Sequence, residues 1–251
     1  MTVFLAAVRA EWTKARTVRS TWWSLSVSAV LCVGVAALLG LQLSGDIDRM
    51  AGDPAELGFF SLLIGQIALV VFGVLLVGAE YTTGTVRASL AAVPSRGVFL
   101  AAKALTAAGV AAVLSVVVAF GSFLAAQWGL GAHGVGLGHT GVLRAVLGAC
   151  AYLTLMCVFA MAVATVLRST ALSLGIMIPV LFLNSQGLAN LPAVRPVTQY
   201  LPDQAGAVMM TVSEGVLGPR DFGPGGAFLI LLAWVAVALA GAYVSVRRRD
   251  A

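Results

Sequence analysis

Residues 80–103 read EYTTGTVRASLAAVPSRGVFLAAK, and this segment separates two long apolar runs of the chain. It breaks both runs with charged residues, glycine and proline. Several apolar runs in the sequence exceed the roughly 18 residues that indicate a membrane-spanning helix. The segment is therefore predicted to connect two membrane helices.

A short helix is predicted inside this connection. Residues 82–85, Thr-Thr-Gly-Thr, are expected to end one helix and to offer hydroxyl groups that cap the next. Val86, Leu90 and Val93 then recur at helical spacing and form one apolar face. Val93 precedes a proline, which disfavours the helical conformation, so we expect a helix over Val86–Ala92.

The composition of the chain indicates an integral membrane protein. Of its 251 residues, 60% are hydrophobic and 10% are charged, whereas a soluble domain usually carries about 25% charged residues. Only helices and closed barrels satisfy every backbone group in hydrocarbon. Barrel strands alternate apolar and polar residues, which these runs do not. The sequence predicts an all-α integral membrane fold with a single transmembrane domain over residues 1–251.

Six transmembrane helices are predicted, at about 22–43, 57–77, 101–128, 142–167, 171–188 and 227–246. If the N-terminus is cytoplasmic, eleven of the fifteen Lys and Arg residues lie on the cytoplasmic side. These are Arg9, Lys14, Arg16, Arg19, Arg87, Arg96, Lys103, Arg168, Arg247, Arg248 and Arg249. This excess predicts that both termini are cytoplasmic. The excess of Lys and Arg over Asp and Glu is therefore attributed to the membrane topology and to contact with anionic membrane lipid. It is not interpreted as a sign of nucleic-acid binding.

Two further helices are predicted outside the spans. Residues 4–20 are expected to form an amphipathic helix in the membrane interface. Its apolar residues at helical spacing are Phe4, Leu5, Val8, Trp12 and Ala15. An ordinary basic segment beside the first span is the alternative for these residues. In the last outer loop, residues 189–226, we expect a short helix within Val197–Val212 with one apolar face.

The sequence offers no catalytic, metal or cofactor site. Cys32, Cys150 and Cys157 are interpreted as buried thiols that pack as small apolar groups. His133 and His139 lie in one loop without further ligands and are interpreted as solvated histidines, not as a metal site. The chain contains no G-x-x-x-x-G-K-[ST] motif, so it is not expected to bind ATP through a P-loop.

Polar residues at membrane depth are few. Glu80 ends the second span, and we expect it to pair with Arg87, Arg96, Lys103 or a side chain of a partner, because an unpaired carboxylate is costly. No acid is predicted within the spans, which disfavours a proton-coupled mechanism. For most of the remaining polar residues we favour helix packing over a role in a translocation path. These residues are Gln66, Ser115, Thr154, Asn184, Ser185 and Gln186.

Residues 80–103 resemble the cytoplasmic signature of the ABC-2 type transporter permeases. In that family a short coupling helix between the second and third spans meets a separate ATPase. The residues that match are Glu80, Gly84, Thr85, Arg87, Leu90, Pro94, Arg96 and Lys103. The resemblance assigns these residues to ATPase coupling and identifies residues 4–20 as a connecting helix. It also implies that the last outer loop forms an extracytoplasmic cap.

The same resemblance implies a function. It implies the membrane subunit of a bacterial ABC exporter, located in the cell membrane and paired with a second copy or a sister permease. The chain would form the translocation path and would not be an enzyme, since ATP and Mg²⁺ would be bound by the partner ATPase. Arg87 and Arg96 would contact an acidic groove of the ATPase, although they could equally be positive-inside anchors.

Two other functions remain open at this stage. One is an ATP-independent channel or carrier, which would be supported by ionisable residues at membrane depth. The other is a sensory or scaffold subunit that has the permease fold but moves no cargo. The sequence does not distinguish the second from a transporter.

Overall fold

The computed structural model describes residues 3–45, 53–93, 95–182, 194–213 and 220–249. Within these ranges the chain forms helices, turns and short connections, and no strand occurs. The helices are α1 (Val3–Thr17), α2 (Arg19–Leu43), α3 (Leu62–Thr83), α4 (Val86–Ala92), α5 (Arg96–Leu130), α6 (Val142–Leu167), α7 (Thr170–Phe182), α8 (Arg195–Thr198), α9 (Pro202–Met210) and α10 (Pro224–Arg249). Two 3-10 helices, Pro54–Ser61 and Gly131–His133, precede α3 and follow α5. The predicted all-helical class is confirmed.

Five helical segments in the described ranges are long and apolar enough to cross a membrane. They are Thr21–Leu43, Pro54–Thr83, Arg96–His133, Val142–Leu167 and Pro224–Arg248. Each of them includes one of the predicted spans. The second and third segments extend beyond the predicted ends, because the 3-10 helices and the first turn of α5 continue them.

The sixth predicted span, 171–188, corresponds in part to α7. This helix has 13 residues, or about 20 Å at 1.5 Å per residue, which is shorter than the roughly 30 Å hydrocarbon core. Residues 183–188 lie outside the described residues. The sixth span therefore stays a prediction.

The helix ends that surround α4 meet at one end of the bundle, called here the α4 end. The Arg168 guanidinium, just after α6, donates to the Ser245 carbonyl of α10 at 3.1 Å and lies 5.5 Å from the centre of the Tyr81 ring of α3. Thr170, at the start of α7, lies against Gly78 of α3. The ends of α3, α6 and α10 and the start of α7 are therefore neighbours at this end.

Helix α6 lies at the centre of the bundle and packs against α3, α5 and α10. Its Leu153, Met156 and Met161 side chains are fully buried. Helix α2 packs mainly against α5 and leaves an apolar face exposed, which includes Val30 and Leu38. Such a face suits the hydrocarbon of the bilayer, where packing and not water exclusion holds helices together.

The short helix predicted within Val197–Val212 is confirmed as α9, but it is buried on all sides and not on a single apolar face. The chain forms two helices there, α8 and α9, and every residue of Pro202–Met209 is buried, not only one face. Gly206 of α9 lies against the Tyr152 ring of α6, and the Trp234 indole of α10 donates to the Tyr200 carbonyl at 2.8 Å. Tyr152 and Trp234 each belong to the third turn of their long helix, about 15 Å from its start. Helix α9 thus packs beside the long helices, which is why all its sides are covered.

Helix α1 overlaps the predicted segment 4–20, beginning one residue earlier and ending at Thr17, but it presents an unexpected side to the bundle. Ala7, Glu11 and Ala15 are its buried residues, while Leu5 and Trp12 of the predicted apolar stripe are exposed. The small side chains at positions 7 and 15 let α1 approach α5. The protein-facing side of α1 is therefore defined by two alanines and a buried carboxylate.

Candidate functional site

The connection between α3 and α4 is a sharp turn at Gly84. This residue has φ 71° and ends α3 in the left-handed conformation, with its N–H donating to the Tyr81 carbonyl. Glycine adopts that conformation without steric cost. The predicted hydroxyl caps are wrong: the Thr85 side chain caps no backbone N–H of α4, and its hydroxyl bonds the Thr83 hydroxyl at 2.9 Å.

Helix α4 spans Val86–Ala92, as the spacing of its apolar residues predicts. Val86 and Leu90 are buried against Phe99 of α5 and Val246 of α10, and Val93 packs at the edge of this cluster. Val93 has φ −124° and ends the helix. The apolar face of α4 therefore fixes it across the ends of two long helices.

The eight predicted coupling residues have different surroundings in the structure. Leu90 and Gly84 hold α4 in place, while Glu80 and Lys103 are buried in the bundle behind it. Arg87 is exposed on α4 and Arg96 is half-buried at the first position of α5. Thr85 is exposed at the turn, and Pro94 lies outside the described residues.

Glu80 is the centre of a four-charge cluster, defined as Glu11, Lys14, Glu80 and Lys103. Its Oε1 atom lies 2.8 Å from Lys103 Nζ and 2.9 Å from Lys14 Nζ. Glu11 completes the cluster, with Oε1 2.8 Å from Lys14 Nζ and Oε2 2.9 Å from Lys103 Nζ. Each lysine therefore bridges both carboxylates, and the cluster joins α1, α3 and α5.

Lys103 was among the predicted partners of Glu80, and this pairing is confirmed. Glu11 and Lys14 were missed by sequence reasoning, because α1 is separated from Glu80 by more than 60 residues and its docking depends on the fold. One sequence signal could have pointed to Glu11. It is the only acid before residue 46, in a segment otherwise rich in Lys and Arg.

The electrostatics of the cluster follow from its burial. Lys103 is fully buried, and Glu11 is 5% exposed. Burial alone would raise the pKa of the Glu11 carboxyl, but the adjacent Lys103 and Lys14 ammonium groups outweigh it and lower that pKa. Burial opposes the charge of Lys14 as well, yet its bonds to Glu11 and Glu80 raise the pKa of Lys14. Both shifts favour the charged forms of Glu11 and Lys14, and the formal charges of the four side chains sum to zero.

A second group of polar side chains is buried near α9. Tyr152 donates to Gln66 Oε1 at 2.8 Å, and Arg220 donates to Gln204 Oε1 at 3.0 Å. Asp203 is also buried, next to Gln204. Asp203 is therefore a buried acid beside the long helices, outside the five candidate spans, and the prediction that no acid lies at membrane depth stays a prediction.

Three of the polar residues predicted to serve helix packing do so. Gln66 of α3 bonds Tyr152 of α6, and the Ser115 hydroxyl of α5 lies 3.1 Å from the Thr154 hydroxyl of α6. Asn184, Ser185 and Gln186 lie outside the described residues.

Comparison with known families matches residues 7–184 to the family described as ABC-2 family transporter protein. The matched range contains α1 to α7 and hence the whole four-charge cluster. No curated protein matches the chain significantly. Since the family match covers well over half of the sequence, the chain belongs to the ABC-2 family of transporter proteins and is a multi-pass membrane component of that transport system.

Proposed function

We propose that this chain is the permease subunit of an ATP-driven exporter and that it couples to a separate ATPase through α4. The observation that carries the proposal is the four-charge cluster next to α4. Lys14 Nζ lies 3.4 Å from the Ser89 hydroxyl of α4 and bonds Glu11 of α1 and Glu80 of α3. A displacement of α4 would therefore reach α1, α3 and, through Lys103, α5.

Helix α4 has the features that a coupling element requires. Its buried face, Val86 and Leu90, fixes it to α5 and α10, so that a push on it moves those helices instead of deforming a loop. Its opposite side exposes Arg87, whose guanidinium can form bidentate bonds with a carboxylate. Arg87, and Arg96 beside it, would meet an acidic groove of the ATPase.

The proposal includes an orientation and an assembly. The α4 end would be cytoplasmic, with both termini inside, in agreement with the eleven basic residues predicted for that side. Two permease chains, identical or sister, would pair in the membrane, with an ATPase below each. ATP and Mg²⁺ would be held by the ATPase alone, and cargo would leave between the two permeases.

Copurification tests this proposal. The tagged chain, extracted from its native membrane in mild detergent, should retain a stoichiometric P-loop ATPase that mass spectrometry identifies. Arg87→Glu should remove most of the ATPase, whereas Arg248→Glu, the same charge change at an exposed arginine of α10, should retain it. Equal loss in both variants would support the positive-inside interpretation, and recovery of intact permease without any ATPase would contradict the proposal.

An ATP-independent carrier is the second candidate, and Asp203 is the observation that favours it. Asp203 is buried beside the long helices, and proton-coupled transporters use acids that lie inside the helical bundle. Transport in vesicles that survives ATP depletion and is lost in Asp203→Asn would establish this function.

A sensory or scaffold subunit would instead show ATP turnover by its partner without movement of any cargo.

A further inference from the structure

A cavity of about 820 Å³ opens beside the four-charge cluster. One of its walls is α3, from Ala68 to Glu80, and the facing wall is formed by the end of α1 and the start of α2. Ser89 of α4 and Lys14 close it at the α4 end. The side chain of Leu75, which also lines it, is 44% exposed. The cavity thus opens sideways on a membrane-spanning helix.

The dimensions of the cavity match one leaflet of a bilayer. Residues 68–80 of α3 extend over about 18 Å, compared with about 15 Å for half of the hydrocarbon core. The α3 wall is apolar until it reaches Glu80, with Phe72, Leu75 and Leu76 as its large side chains. The α3 wall favours hydrocarbon over water, because its side chains from Ala68 to Ala79 offer water no hydrogen bonds. An acyl chain fits this wall.

The α4 end of the cavity has both a cationic donor and an unused acceptor. The Lys14 side chain is 47% exposed, so its ammonium can be reached from the cavity. Glu80 also lines the cavity, and its Oε2 atom accepts no hydrogen bond from any residue that the structure describes. This Oε2 atom is buried, and a rotation of the carboxylate about χ3, which is a soft torsion, would present it to a donor in the cavity.

We infer that this cavity binds a zwitterionic phospholipid whose headgroup carries a primary ammonium, that is, phosphatidylethanolamine. The phosphate displaces the Ser89 hydroxyl from the third N–H group of Lys14, 3.4 Å away, and accepts from both side chains. The ammonium donates to Glu80 Oε2, and one acyl chain lies along α3. The cluster has no net charge, which favours a zwitterion over an anionic lipid. Phosphatidylcholine has the same phosphate, but its quaternary ammonium has no N–H group to donate.

This lipid would connect α1 and α3 at the coupling residues. Its phosphate contacts Lys14 of α1, and its ammonium contacts Glu80 of α3. The inference does not depend on the proposed exporter function, because it concerns only a membrane protein with this cavity.

Native mass spectrometry of the purified full-length chain tests the inference. The chain is delipidated in detergent and then titrated separately with phosphatidylethanolamine, phosphatidylcholine and phosphatidylglycerol of the same acyl chains. One charge-assisted hydrogen bond corresponds to about a tenfold difference in affinity. We therefore expect phosphatidylethanolamine to bind about tenfold more tightly than either of the other two. Equal binding of the three lipids, or tighter binding of phosphatidylglycerol, would overturn the headgroup assignment.

Two matched variants locate the binding. Leu75→Trp fills the cavity and should abolish the preference, whereas Leu105→Trp, at an exposed leucine of α5 outside the cavity, should retain it. A preference that persists in Leu75→Trp would overturn the site. Both variants keep the four-charge cluster, and no ATPase is present in the measurement, so failure here is distinct from failure of the proposed function.

Discussion

Lys103 has the least exposed charged side chain among the described residues, and its charge is stabilised by the Glu11 and Glu80 carboxylates and by the Phe99 ring, whose centre lies 5.0 Å away. In the four-charge cluster the two carboxylates and the two ammonium groups balance one another's charge and hydrogen bonds. The loss of one member therefore leaves another without its partner. Removal of one partner from a buried ion pair typically costs about 3–5 kcal/mol. At the residue scale, the stability of the α4 end therefore depends on four side chains.

Substitution of the two lysines should have unequal effects. Lys103→Met leaves a buried net negative charge and should lower the free energy of unfolding by about 3–5 kcal/mol. Lys14→Met removes a half-exposed partner and should cost only about 1 kcal/mol, because water can replace its charge. Thermal unfolding in detergent measures both. A larger loss in Lys14→Met than in Lys103→Met would show that the cluster is not held as described.

The pH dependence of stability should follow from Glu11 and Lys14. The lowered pKa of Glu11 contributes stability above the unfolded value of about 4.3, and this is lost as pH falls through the lower folded pKa. The raised pKa of Lys14 contributes stability below about 10.4, which is lost as pH rises through the higher folded pKa. Unfolding temperature should therefore have a plateau between these values. Glu11→Gln should reduce the acid-side loss, and an unchanged acid side in that variant would refute the role of Glu11.

Helix α4 and the turn before it determine how the connection meets the bundle. The turn requires a positive φ at residue 84, and the helix is held by the packing of Val86 and Leu90. No side-chain cap supports the start of α4. The backbone conformation of one glycine is therefore decisive for this element.

Gly84→Ala should destabilise the chain by about 1 kcal/mol and weaken ATPase retention, because alanine resists the left-handed conformation. Gly84→Asn should recover part of the loss, since asparagine tolerates that conformation. Gly34→Ala is the control: it lies inside α2 with open space around it, and it should stabilise the helix slightly. Equal unfolding temperatures and ATPase retention for Gly84→Ala and wild type would contradict the geometry of the turn.

Helix α9 depends on close packing against α6. A Cβ atom at Gly206 would lie 2.2 Å from the Tyr152 ring, and this ring is held by its bond to Gln66. Gly206→Ala should therefore cost about 1–3 kcal/mol through overpacking. Gly175→Ala in α7, where nothing lies near the added atom, should be tolerated. Equal unfolding temperatures for the two variants would show that α9 does not pack against Tyr152 in this way.

At the scale of the whole molecule, the apolar length of the spans and the spacing of Val86, Leu90 and Val93 were sufficient to predict five long helices and α4. These features are local, so they can be read without the fold. The docking of Glu11 and Lys14 on Glu80 is a contact across the fold, which no local pattern encodes. Helix α9 was predicted, but its burial on all sides was not, because that burial also depends on contacts across the fold.

Docking of a separate ATPase on α4 is tested most directly by a photo-crosslinking amino acid at position 91, which is exposed one turn after Arg87 and leaves that arginine in place. The probe is activated in the native membrane. A matched probe at position 143, exposed at the start of α6 away from the α4 end, provides the control. We expect a crosslinked P-loop ATPase from position 91 and none from position 143. Absence of an ATPase at position 91, or its capture at position 143 instead, would contradict docking on α4.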